Sequence, residues 1–261
     1  MSRTPPVWPA FLAYVLAIVA ILACSVVAAA VLQDLYPELD PAALFDTLPG
    51  LLAGALAAST ALVLTVLIAA RPLDPARLRL RPGRETGAQL VVIILGVLAL
   101  GQALDALTML AGLGERGTLA IVRRALAHAR GPELFAAVLI IGVVAGAAEE
   151  LFFRAYLLGR LAERWPPAAA VTVSSLAFGL LHVEWLHALL AFALGLYLGF
   201  VTVRAGSALP AMAAHVVNNV LFTVLTAVAG PVTEPGVNAA LGGGAALVFA
   251  ACVAWLHRVL R

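Results

Sequence analysis

Lysine is absent from these 261 residues, and all sixteen basic side chains are arginine. We read this as compositional bias rather than function. Charge of either sign is scarce, at 11% of residues against 63% hydrophobic. A soluble globular domain carries about 25% charged and about 50% apolar residues, so this composition argues against a soluble fold. The net charge of +2 implies no general affinity for nucleic acid. Cys24 and Cys252 both sit inside apolar segments. They have neither disulfide nor metal spacing and read as membrane-facing or core residues. There is no internal repeat and no low-complexity tract.

What the chain has in quantity is long apolar runs. Eighteen or more apolar residues in a row mark a membrane-spanning helix. The reading is an all-α, polytopic integral membrane bundle of about eight transmembrane helices. The expected spans run over about 8–32, 50–70, 88–113, 132–161, 166–182, 186–203, 208–229 and 237–256. The first is too long for a signal-peptide core, so it is kept as a helix of the mature chain. Residues 118–130 alternate apolar and basic at helical spacing and predict a short interfacial helix. Three regions follow: residues 1–131 with the first helices and the interfacial helix, a core over 132–230, and a last helix in 231–261.

Arginine placement orients the bundle. With the N-terminus inside, the loop of Arg71, Arg77, Arg79, Arg81 and Arg84 falls inside, with Arg160, Arg164 and Arg204. The acidic first loop falls outside. The 114–132 loop is the misfit, being basic yet outside.

Few strongly polar side chains interrupt the later runs, and these carry the argument. The fourth span contains Ala-Glu-Glu-Leu-Phe-Phe-Arg, residues 148–154. A charge near the bilayer centre costs about 2.5–3.5 kcal/mol on insertion scales, so such groups face the bundle interior and serve a purpose. Glu150 and Arg154 are four apart and can pair on one helix face. Glu149 points about 100° away and stays free for another role. His182 closes Phe178-Gly-Leu-Leu-His182, and His215 and Asn219 share a face of the seventh span. Each motif alone also has a structural reading: a charge cluster at a membrane edge, an interfacial histidine, an interhelical hydrogen bond. Asp105 and Gln102 read as structural, contacting Arg154 or the seventh span. His128, His187 and His257 sit near span ends and read as solvated. Gly195 and Gly199 predict a close helix–helix approach.

Glu149, His182, His215 and Asn219 together can hydrolyse an amide. A carboxylate in an apolar pocket becomes a stronger base and can activate water, with a histidine beside it holding that water. A second histidine and an amide can donate to the oxyanion of a tetrahedral intermediate. One Glu and two His also match catalytic zinc, giving Glu149, His182 and His215 as the alternative metal set. The His-Glu-x-x-His signature of zinc proteases is missing. By helix rise, Glu149 lies about 16 Å from Arg160, whereas His182 lies about 24 Å from Pro166. That mismatch predicts a tilted fifth span or a hairpin projecting from the membrane.

Glu-Glu-x-x-x-Arg (Glu149 to Arg154), Phe-x-x-x-His (Phe178 to His182) and His-x-x-x-Asn (His215 to Asn219), in that order in a polytopic chain, resemble the CAAX protease and bacteriocin-processing (CPBP, or Abi) family. This is the family of the type II CAAX prenyl endopeptidase. The resemblance covers roughly 132–222. It implies an intramembrane protease in which Glu149 and His182 activate water and His215 and Asn219 stabilise the oxyanion. Glu150, Arg154 and Phe178 would be structural or positioning residues. The family has been described both as metalloproteases and as metal-free glutamate-dependent proteases; we take the metal-free reading, with zinc as the alternative. The implied partners are the lipid bilayer and a membrane-anchored or lipidated protein or peptide, cleaved near its C-terminus. Some members process prenylated proteins. Others cleave sorting signals, as in the myxosortase-like branch, or act in bacteriocin maturation and immunity. The expected location is a bacterial inner membrane. The rival readings are a non-catalytic immunity or binding scaffold and a proton-coupled transporter.

Overall fold

The computed structural model describes residues 6–260. Residues 1–5 and 261, at the outer ends of the first and last regions, lie outside the described part. The described residues form nine helices. These are α1 (Trp8–Leu35), α2 (Leu48–Ala69), α3 (Gly87–Leu110), α4 (Gly117–Leu126), α5 (Gly131–Ala162), α6 (Pro167–Leu180), α7 (Trp185–Ala205), α8 (Leu209–Val228) and α9 (Pro235–Val259). Proline stands in the first turn of six of them: α1, α2, α5, α6, α8 and α9. There the missing N–H costs nothing and the fixed φ suits the helix. The others start on side-chain chemistry or on a glycine. A Thr86–Gln89 capping box opens α3, and Glu184 caps α7. Gly117 opens α4 at a φ of 69°.

Seven of the nine are long and apolar enough to cross a membrane. The expected fifth span is the exception. It is α6, only 14 residues long, about 21 Å against a hydrocarbon core of about 30 Å. The expected interfacial helix is α4. It explains the charge misfit of its loop, because two of its arginines are committed to the protein. Arg123 is buried, pairs with Asp105 and donates to the Gly114 carbonyl at 3.2 Å. Arg130 donates to the carbonyls of Ala127 and Ala129. Asp105 thus pairs with Arg123 and ties α3 to α4, where Arg154 or the seventh span was the expected partner.

The long helix α5 is the centre of the bundle and packs on α2, α6, α7 and α8. Residues Phe152–Gly159 are all buried, as expected of a stretch whose one charge is Arg154 and whose other faces are largely apolar. Phe152, Phe153 and Tyr156 meet Tyr14 of α1 and Phe178 of α6 there. A second apolar cluster joins α3, α7 and α9 through Ile93, Val97, Tyr197, Leu198 and Leu256. Small residues set the closest approaches. Gly195 and Gly199 bring α7 against Ser175 and Val171 of α6. Gly142 brings α5 against Val220 of α8, where an added Cβ would come within 2.7 Å of a Val220 methyl. Gly142→Val is expected to destabilise the fold by about 1–3 kcal/mol by overpacking, read as a lower midpoint of thermal unfolding in detergent.

The arginine-rich loop gathers at one end. Arg84 N–H donates to the Ala205 carbonyl and the Arg79 carbonyl accepts from Ala208 N–H, each at 2.9 Å. Arg160 pairs with Glu163 at 3.2 Å. The turn between α6 and α7 and helix α4 lie toward the other end, as α4 packs on α2, α7 and α8.

Candidate active site

Helix α5 is not a uniform α-helix. Val138–Ala145 and Leu151–Leu158 are π-helical, with i to i+5 bonding, and the α-helical segment between them is Gly146–Glu150. Both glutamates end that short segment. Such π stretches are rare and concentrate at functional sites. The apolar sequence on either side gives no hint of them.

Glu150 is fully buried, and one of its oxygens accepts two charge-assisted bonds. Oε1 lies 2.7 Å from Arg154 Nη1 and 2.8 Å from His215 Nδ1. Its other oxygen has no protein partner, nor do Arg154 Nε and Nη2. Arg154 is also fully buried, and its guanidinium lies over the Phe178 ring at 4.5 Å. Buried charges persist when paired in this way.

His215 joins the two glutamates. While Nδ1 is held by Glu150, its Nε2 stands 3.7 Å from Glu149 Oε2. Glu149 is thus not isolated, but it is the open member of the pair, with 20% of its side chain exposed against 0% for Glu150.

Phe178 is the hub between helices. Its ring meets His182 edge-on at 5.1 Å and His215 edge-on at 5.9 Å, with Arg154 over its face. His182 Nδ1 lies 3.0 Å from the Phe178 carbonyl. The imidazole therefore folds back one turn, level with Phe178, about 18 Å along the helix from Pro166. This reduces the depth mismatch with Glu149. His182 is not within ion-pair distance of either glutamate among the described residues. Asn219 lies one turn beyond His215 on α8, and its amide donates to the Ile141 carbonyl at 3.4 Å. Asn218 points toward α3, against Gly101.

The arrangement brings one accessible carboxylate, two imidazoles and an amide to the junction of α5, α6 and α8. Residues 131–221 match the model of the family described as type II CAAX prenyl endopeptidase Rce1-like. Over this segment the chain is similar to the CAAX protease and bacteriocin-processing family. The family so described is one of endopeptidases. The matched stretch runs from the start of α5 well into α8 and contains every residue of the cluster. With seven helices long and apolar enough to span a bilayer among the described residues, the chain is an integral membrane protein. Comparisons with curated proteins and with solved structures gave no match.

The alternative zinc set does not fit as arranged. Among the described residues, no group of three or more His, Cys, Asp or Glu side chains is placed to hold a metal ion. Glu149 and His215 approach each other, while His182 packs on Phe178. His187 departs from its expected solvation. It is partly buried, and its ring packs on His182 with centroids 4.1 Å apart. His128 and His257 are exposed. The signal for His187 was its place five residues after His182, across a turn too short to separate the two side chains.

Proposed function

We propose that this chain hydrolyses a peptide bond of a membrane-anchored protein within the membrane, with residues 132–230 as its catalytic core. The observation that carries the proposal is the asymmetry of the glutamate pair: Glu150 is locked by Arg154 and His215, and Glu149 stands open beside them. Glu149 takes the proton of a water, and His182 holds that water through Nε2. The attack on the carbonyl carbon makes a tetrahedral oxyanion, which His215 and Asn219 stabilise. With Nδ1 of His215 turned to Glu150, its Nε2 is the nitrogen that faces the oxyanion. The Asn219 amide exchanges its long bond to Ile141 for one to the oxyanion. The proton held by Glu149 then passes to the leaving amine.

The family description supports a prenylated protein as substrate. The broader chemistry is a lipid-anchored C-terminal segment that brings its scissile bond to the bilayer. The test is cleavage of a library of membrane-anchored C-terminal peptides by purified protein in liposomes, with elemental analysis of the same sample. Cleavage without stoichiometric metal is expected. Asn219→Ala is expected to lower kcat by about 10²–10³-fold, the cost of one oxyanion donor. Cleavage that tracks one zinc per chain and is lost with chelator would overturn the metal-free mechanism. Absence of cleavage in every member of the library would favour the scaffold reading.

A further inference from the structure

One imidazole in contact with this cluster has no part in the proposed chemistry. His187 lies in the first turn of α7, and its ring meets His182 at 4.1 Å with the planes 54° apart. The turn between them has little slack. Glu184 N–H donates to the His182 carbonyl at 2.6 Å, and Val183 takes a φ of 58°. That φ is rare for a β-branched residue, so its surroundings impose it. Glu184 then caps α7, its carboxylate accepting from the N–H of Leu186 at 2.9 Å and of His187 at 3.0 Å. Gly117 closes in from α4; a Cβ there would come within 2.7 Å of Glu184 Oε2. The backbone of His187 is therefore fixed by a cap and by the start of a neighbouring helix.

His182 is held from two sides. Phe178 presents its ring edge and its carbonyl, and His187 presents its ring. Donation from Nδ1 to the Phe178 carbonyl leaves Nε2 as the basic nitrogen. Only one rotation of the ring makes that bond. The ring of His187 packs against the imidazole, with centroids 4.1 Å apart. His187 Nδ1 itself is buried and has no hydrogen-bond partner, so its ring is held by packing rather than by a bond of its own.

We infer that His187 is a positioning residue for peptide hydrolysis, its ring clamping the His182 imidazole so that Nε2 faces the water activated by Glu149. The inference rests on the catalytic role proposed for His182. It is tested with His187→Ala, His187→Phe and His182→Ala in liposomes. The assay measures kcat and KM on the best-cleaved library peptide, with thermal midpoints recorded alongside. His187→Ala is expected to lower kcat by about 10²-fold, the typical cost of a small misplacement, with KM nearly unchanged. His187→Phe keeps a flat ring in the same space and is expected to recover most of kcat. Wild-type kcat in His187→Ala together with a large loss in His182→Ala would overturn the inference and leave the catalytic reading intact. Full activity in His182→Ala would overturn both. If His187→Ala does not fold, His187→Phe decides: near-wild-type kcat supports the clamp, and a large loss overturns it.

Discussion

Glutamine in place of Glu149 keeps the shape of the side chain and removes the base, and cleavage is expected to fall by about 10²–10⁴-fold, the usual worth of general base catalysis. The loss should appear in kcat, because in the proposed mechanism Glu149 acts on the water and not on substrate binding. Stability should hold, since Glu149 is the partly exposed member of the pair and His215 Nε2 stands 3.7 Å away from it. Glu150→Gln makes the contrast. It weakens bonds of 2.7 and 2.8 Å inside a buried cluster, so it should lower the unfolding midpoint as well as activity. Kinetics and thermal unfolding on the two variants therefore separate the chemical carboxylate from the structural one. If Glu149→Gln cleaves at the wild-type rate, the proposed mechanism is wrong.

Arg154→Ala is expected to have the largest effect on folding. Arg154 and Glu150 are both fully buried and pair at 2.7 Å. Removing one partner of a buried ion pair costs about 3–5 kcal/mol, because the remaining charge stays buried and uncompensated. Against a total stability of about 5–15 kcal/mol, such a variant should express poorly or lose most of its cooperative unfolding transition. The guanidinium also lies over Phe178, so its loss loosens the ring that His182 and His215 pack against. The double variant Glu150→Gln with Arg154→Met removes both charges and should be more stable than Arg154→Ala alone. Equal destabilisation of the two would show that the cavity, and not the orphaned charge, sets the cost.

Much of this was readable in the chain, and the reasons are local. The apolar runs announce helices because a span must satisfy its backbone internally. Pro9, Pro49, Pro132, Pro167, Pro210 and Pro235 mark where six of them begin. The spacing of Glu150 and Arg154 announces their contact. The rest depends on tertiary arrangement. The sequence shows His215 beside Asn219, but not that its Nδ1 would reach Glu150 on another helix. Asp105 had more than one reachable cation, and only the docking of α4 selected Arg123. The π stretches on either side of the glutamates have no compositional signature. The shortness of α6 was hidden because His182 and its neighbours extend the apolar run through a turn.

That shortness bears on how water reaches a reaction buried in lipid. Helix α6 begins at the arginine-rich end and stops about 9 Å before a bilayer of ordinary thickness would end. A segment shorter than the membrane is accommodated by thinning the lipid around it. Hydrophobic mismatch therefore gathers at the turn after α6, next to His182, and bulk solvent there starts closer to the interior of the bundle than a full-length span would allow. The depth of the reaction is set as much by the local shape of the leaflet as by the protein's own walls.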